Sequence, residues 1–402
     1  MATTPESTPL LTINTPIGLQ YKVNPGTIEV KGDGQGLRVT GELIDTTNAL
    51  PVPANQTLAL VGGDLFLEGA TLKTAGGRIE LGSVGDNSLV TLTPITKGFA
   101  LSYDEVQNFG NIQLSKLSAV DASGAGSGDI QIQGRRVTIA DGSQIEASTL
   151  LGEKGGNLVV NATESVELVG ISADGQFLSG LSASAYPNST ATGNAGDLTI
   201  NTQNLLVRDG AQVSTATYGM GKSASLTVNA QDVQLIGTTA DGLLLVRDGA
   251  YVDASIYGTG KGGALTVNAQ DVQLIGTSTD GSYRSGLFTQ AYSGITGDAG
   301  DLTINTQQLL VRDGTQIGAA TSGAGKGGSS TLNAKNVQLI GTTADSRFPS
   351  GFFTTAYIGA TGDAGNLTIN TQQLLVRDGA KISAGTQSAG KGGSLTLNAP
   401  HN

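Results

Sequence analysis

Apolar residues recur at every second position along most of this chain, in short runs separated by glycine-rich breaks. Leu65 and Leu67 fall on one side of such a run, as do Ile79 and Leu81. Further on the runs copy one another: Leu158/Val160, Leu198/Ile200, Leu226/Val228, Leu265/Val267, Leu302/Ile304, Leu367/Ile369 and Leu395/Leu397. A second set follows a few residues later at Val166/Leu168, Val233/Leu235, Val272/Leu274 and Val337/Leu339. Period-2 alternation predicts strands with one buried face, and the intervening Thr, Asn and Gln suit a solvated one. No apolar stripe of helical period runs beyond two turns, so long helices are not expected.

The copies belong to a longer repeat. The stretch GDAGDLTINTQQLLVRDGTQI runs from Gly297 to Ile317, with close copies from Gly193 and Gly362 and a shortened one, LLLVRDGAYV, from Leu243. The Asp of its Asp-Gly pair stands at Asp141, Asp209, Asp248, Asp313 and Asp378, at spacings of 68, 39, 65 and 65 residues. The short interval keeps the downstream frame, which predicts that a whole structural quantum is absent there. Division of the remainder into quanta of about 20 residues points to the coils of a β-helix rather than propeller blades or leucine-rich repeats. The expected fold is all-β, a right-handed parallel β-helix with an irregular N-terminal β section. We divide it into 1–118, with projecting loops such as that around Pro51 and Pro53, and 119–402, regular repeats of about 65 residues. Coils of about 20–25 residues would give a rod roughly 80–90 Å long at one strand spacing per coil.

Polar positions also recur. Asn161, Asn201, Asn229, Asn268, Asn305, Asn333, Asn370 and Asn398 each follow the last inward residue of a strand. An Asn there is expected to take a left-handed conformation at the corner and hydrogen-bond along the stack as a structural ladder. Gly-Lys-Gly-Gly turns at Lys261, Lys326 and Lys391, with relatives at Lys154 and Lys222, are expected where positive φ is needed.

Composition narrows the function classes. The 402 residues include 60 Gly, nine Tyr, eight Phe and no Trp, and carry a dispersed net charge of −11. That balance argues against nucleic acid or an anionic membrane as partner. With no Cys, disulfides and thiolate metal sites are excluded. MATTPESTPL carries no basic residue and no long apolar run follows, so an export signal is not expected within the chain. No stretch approaches the length of a membrane span.

Candidate chemistry is sparse. The pairs Arg208/Asp209, Arg247/Asp248, Arg312/Asp313 and Arg377/Asp378 read either as a charged stripe for a ligand or as Asp-Gly turns beside solvated arginines. A polysaccharide lyase or hydrolase would gather carboxylates and a basic residue on one face. Here the single His is His401, and Asp174, Asp241, Asp280 and Asp345 sit in repeated turns. The glycine-rich calcium nonapeptide is absent, and no catalytic residue, cofactor or metal is expected. Aromatics cluster in the segment that the short repeat lacks: Tyr186, Tyr283, Phe288, Tyr292, Phe352, Phe353 and Tyr357. They read as ligand-contact loops for a sugar or protein, or as packing over the longer coil.

Several segments carry a family resemblance. They are PLLTINTPIGLQY from Pro9, QTLALVGGDLFLEGATLKTAGGRIELGSVGDNSLVTLTP from Gln56, ALSYDEVQNFGNIQLS from Ala100, and the DVQLIGTTADG and DLTINTQQLLVRDGAQ repeats. The chain resembles the filamentous-haemagglutinin-like exoproteins of bacterial two-partner secretion, most of all the large repetitive ones common in cyanobacteria. The resemblance implies a β-helix, an outer-membrane pore partner for export, and non-catalytic adhesive or scaffold work on a host, cell-surface or glycan ligand. It places the protein outside the cell or on the outer-membrane surface. The family's Asn-Pro-Asn-Gly motif has only Asn24-Pro25-Gly26 as its nearest string here. The chain is therefore expected to lack the N-terminal signal and secretion domain and to be the middle of such a protein or a truncated gene remnant.

Overall fold

The computed structural model describes residues 16–36, 49–186, 193–237, 249–277 and 285–399. The chain winds through a three-faced parallel β-helix. The first face stacks Thr57–Gly62, Arg78–Ser83, the start of Asp129–Ala140, the start of Leu158–Val169, Leu198–Asn201, Leu226–Asn229, Leu265–Asn268 and Leu302–Asn305. The second face starts at Ile28–Lys31 and Leu65–Glu68 and continues through strands such as Asn204–Arg208 and Gln308–Arg312. The third is built of short strands, among them Gln144–Glu146, Gly180–Ser182, Gln212–Ser214, Tyr251–Asp253, Gly286–Phe288, Gln316–Gly318 and Gly351–Phe353. Some strands, such as Asp129–Ala140, run through the corner between the first two faces, with an irregularity between Gly134 and Arg136.

Register fixes the coil length. Leu198 pairs with Leu226, then Leu265, Leu302, Ser330, Leu367 and Leu395, so coils take 28, 39, 37, 28, 37 and 28 residues. The 65-residue repeat is therefore two unlike coils, and the expectation of 20–25 residues per coil does not hold. The extra residues of the long coils lie in the turns, partly in a small loop closed by the antiparallel bridges Ile171↔Leu178 and Thr342↔Pro349. Among the described residues the third face has 11 strands. At about 4.8 Å per coil that stack is about 50 Å tall, shorter than the coil-size guess implied. Leu50–Pro51 belongs to that face, pairing with Leu72 and Lys73, so this part of the proline segment does not project.

Alternation does what the pattern predicts: Ile130, Ile132, Val137 and Ile139 of one strand are all at most 1% exposed, with polar neighbours between them. These residues stack into one continuous core cluster from Leu58 to Ile369. The asparagines form an outward column. Each Nδ2 from Asn201 onward donates to the Oδ1 one coil earlier, through Asn229, Asn268, Asn305, Asn333, Asn370 and Asn398, at 2.6–2.8 Å. All eight lie in strands and none has positive φ, so the left-handed corner is not how they act. In the repeats the turn aspartates Asp141, Asp209, Asp313 and Asp378 take the left-handed conformation instead.

An antiparallel sheet of Gly18–Gln20, Leu89–Ile95 and Gly98–Ser102 stands outside the helix near its N-terminal end. It packs Val90, Leu101 and Tyr103 with Val84 and Val106 in a separate small core. Beneath it lies Glu80, fully buried, accepting from Arg78 Nε and from the Leu101 amide at 3.3 Å. Its second oxygen and the buried Tyr103 hydroxyl have no hydrogen-bond partner. Burial dominates over the Arg78 charge and pushes the carboxyl up to about 7. A carboxyl whose folded pKa lies above its unfolded value of 4.5 favours the folded state while protonated, so stability falls as pH rises from about 4.5 to about 7. Glu80→Gln, which stays neutral and keeps an acceptor for Arg78, is expected to flatten that slope by up to ~3 kcal/mol. Denaturant melts at pH 5 and pH 8 check this; an equal pH-dependent loss in both proteins would count against it.

Candidate functional site: the tyrosine-roofed face

The three-residue strands of the third face each contribute a single inward residue, such as Leu181, Val213, Val252 or Leu287. Four residues further on, every one of these coils reaches the same column. Bridges Thr149↔Ala185, Ala185↔Thr217, Thr217↔Ile256, Ile256↔Ala291, Ala291↔Thr321 and Thr321↔Ala356 hold that column in register. The next residues are Leu150, Tyr186, Tyr218, Tyr257, Tyr292, Ser322 and Tyr357. Four tyrosines in successive coils thus stack, with ring centroids 4.8, 4.7 and 4.1 Å apart and interplanar angles of 19°, 11° and 10°. Coil spacing and aromatic stacking distance nearly coincide, so in-register tyrosines need no distortion to stack.

The rings lie back over the outer surface of the third face. The Tyr186 hydroxyl bonds Ser184 and Ser182, and burial pushes the Tyr186 and Tyr257 hydroxyls well above the ordinary tyrosine range. With their faces spent on one another, the tyrosines leave ring edges for contact. Beneath them is a polar cavity of about 120 Å³ whose lining includes Gln144, Glu146, Ser214, Tyr218, Asp253 and Tyr257. The Tyr251 hydroxyl donates to Gln212 Oε1 at its edge. Asp253 is only 5% exposed; the Ser255 hydroxyl donates to its Oδ1, and burial pushes its carboxyl up to about 7.

The aromatics singled out in the sequence are split by this arrangement. Tyr186 and Tyr292 join the ladder, while Tyr357 stands in the same column beyond Ser322. Phe288 is half-buried and Phe353 9% exposed on the outer side. Phe352 points inward and is fully buried, which removes it from any surface-contact set. Tyr283 lies outside the described residues. Tyr218 and Tyr257 were missed because their neighbours, STATYGMG and DASIYGTG, do not resemble the loops around Tyr186 and Tyr292. The constant five-residue offset from the inward strand residue is the signal that finds them.

The charged candidates do not converge. Arg312 pairs with Asp313 at 3.4 Å and Arg377 with Asp378 at 2.7 Å, both largely exposed, and Arg208 pairs with Asp209 in the same way. These aspartates occupy left-handed turns. Arg247, Asp248, Asp241, Asp280 and His401 lie outside the described residues. Asp174 and Asp345 close the small loops of the long coils, accepting from Ser172 and Thr343, with Arg347 also on Asp345. Other turn acids serve the stack: Asp298 and Asp301 accept the Lys326 and Ser329 amides of the following coil at 2.7 and 2.9 Å. Among the described residues no three His, Cys, Asp or Glu side chains converge on a metal position.

At the other end, the coils that begin at Ile28, the outer antiparallel sheet and the buried Glu80 all fall within one family match. Residues 1–132 match the model of the TPS secretion domain. The first third of the chain is thus a TPS secretion domain, the kind that two-partner secretion exoproteins carry. The expectation that the secretion domain is missing is thereby overturned: the irregular N-terminal section is that domain. The short Asn24-Pro25-Gly26 string is a poor guide here, because the match is carried by more than a hundred residues and not by one motif. A TPS secretion domain marks the exoprotein as secreted or cell-surface, with a β-barrel transporter as its export partner. No curated protein and no solved structure matches the chain. Among the described residues no helix is long and apolar enough to cross a membrane.

Proposed function

We propose that the exoprotein is a non-catalytic adhesin or cell-surface scaffold of the filamentous-haemagglutinin type, presenting the tyrosine-roofed face to a host, cell-surface or glycan ligand. The observation that carries this reading is the secretion domain at residues 1–132 continuing without a break into stacked coils. A scaffold role is supported by the uses to which the polar groups are put: asparagines bond asparagines, and turn acids cap the next coil. The non-catalytic reading is supported by carboxylates such as Asp298, Asp301, Asp174 and Asp345, which are engaged in turns and between coils instead of facing one cleft.

The test is export followed by attachment. Produced behind a cleavable signal peptide in a bacterium with a two-partner transporter, the full chain is expected in the medium or on the cell surface. A version without residues 1–132 is expected to stay in the periplasm. Equal export of both versions, or full-length protein that reaches the surface yet confers no attachment to cells or glycan-coated plates, would sink the proposal.

A further inference from the structure

The column of outward residues that ends each third-face strand contains two buried carboxylates, and the fold treats them differently. Asp121 is fully buried and pairs with Lys73, its register neighbour in the preceding coil. Asp253, 5% exposed in the same column, has Ser214 in the preceding coil and Phe288 in the following one. It forms no ion pair among the described residues; Ser255 bonds its Oδ1, and the carboxylate lines the cavity under Tyr218 and Tyr257. A carboxylate taken out of water without a cation is costly. Asp121 shows that this column meets that cost with an ammonium group one coil away.

We propose that the cavity beneath Tyr218 and Tyr257 binds a primary ammonium group on a slender aliphatic chain, with Asp253 in the role of the counter-ion that Asp121 plays for Lys73. The cavity, about 120 Å³, is large enough to admit an alkylammonium end. Tyrosine hydroxyls, Ser214 and Gln212 supply neutral oxygens for the remaining N–H donors. A divalent cation is a poorer fit, since it calls for several carboxylates at once. The other acid in the lining, Glu146, stands three coils away, about 14 Å along the stack. The net charge of −11 raises the local concentration of any cation. This inference gives a ligand chemistry to the face proposed above for recognition and rests on that reading.

Isothermal titration of the purified full chain with putrescine at pH 8 tests it. Saturable one-to-one binding is expected, weakened at least tenfold in Asp253→Asn. Ser214→Lys rebuilds the Lys73–Asp121 arrangement from within; it is expected to abolish putrescine binding and raise the melting temperature. Unchanged far-UV circular dichroism shows that both variants fold. The proposal is overturned if the wild type gives no saturable binding, if either variant binds as the wild type does, or if calcium competes at equal concentration. Because binding is measured on purified protein, its failure leaves the export reading standing, and a failure of export leaves this result unaffected.

Discussion

Gly300→Ala is expected to destabilise the coil stack by about 3 kcal/mol or more, far beyond an ordinary surface change. A Cβ at Gly300 would lie 1.7 Å from the Gly263 carbonyl oxygen and 2.4 Å from its carbon. Both are backbone atoms of the preceding coil, so no side chain can swing away. The same closeness recurs upward, with Gly328 against the Gly300 oxygen at 1.7 Å and Gly365 against that of Gly328 at 1.9 Å. A shift at Gly300 would therefore disturb the cap from Asp301 to the Ser329 amide. Gly170→Ala is the control: its φ is +71° and nothing lies within 4 Å, so it carries only the left-handed penalty of about 1 kcal/mol. Equal costs for the two in denaturant melts would refute the close-approach account.

Phe352→Ala is expected to cost about 3–5 kcal/mol, and Phe352→Leu about 1 kcal/mol. Phe352 is the largest of the fully buried side chains and stacks between Ile317 below and Ile382 above. The coil backbone is pinned on either side by parallel pairing, so the space left by the ring cannot close by collapse. Chemical denaturation of the two variants checks the ordering; a Phe352→Ala cost near that of Phe352→Leu would mean that the neighbouring coils do relax.

The glycine result also explains a misreading. The Gly-Lys-Gly-Gly turns look like positions of positive φ, yet Gly260, Gly263, Gly325 and Gly328 do not have it. They are glycines because the coils approach too closely for a Cβ: Gly263 would meet the Ala224 oxygen at 1.7 Å and Gly325 the Gly297 oxygen at 1.9 Å. One sequence preference thus arises from two causes that only coordinates separate. The asparagines give a similar case. Their recurrence marks a ladder, but its direction, Nδ2 to the Oδ1 of the preceding coil, and its strand backbone emerge only from the stacked structure.

What the sequence determined alone is the all-β character, the inward columns and the existence of a repeat, because period-2 alternation and in-register recurrence are local properties of the chain. Coil length was beyond it, since a 65-residue repeat is equally compatible with two or three turns until Leu302 is seen paired with Ser330 and then Leu367. The tyrosine ladder likewise required tertiary structure. Tyr186, Tyr218, Tyr257 and Tyr292 are 32, 39 and 35 residues apart, with turns of different length between them. Parallel pairing absorbs those differences at the corners and returns every coil to one column. There the 4.1–4.8 Å separation of the rings turns scattered aromatics into one continuous roof, and the same geometry places Asp253 beneath it.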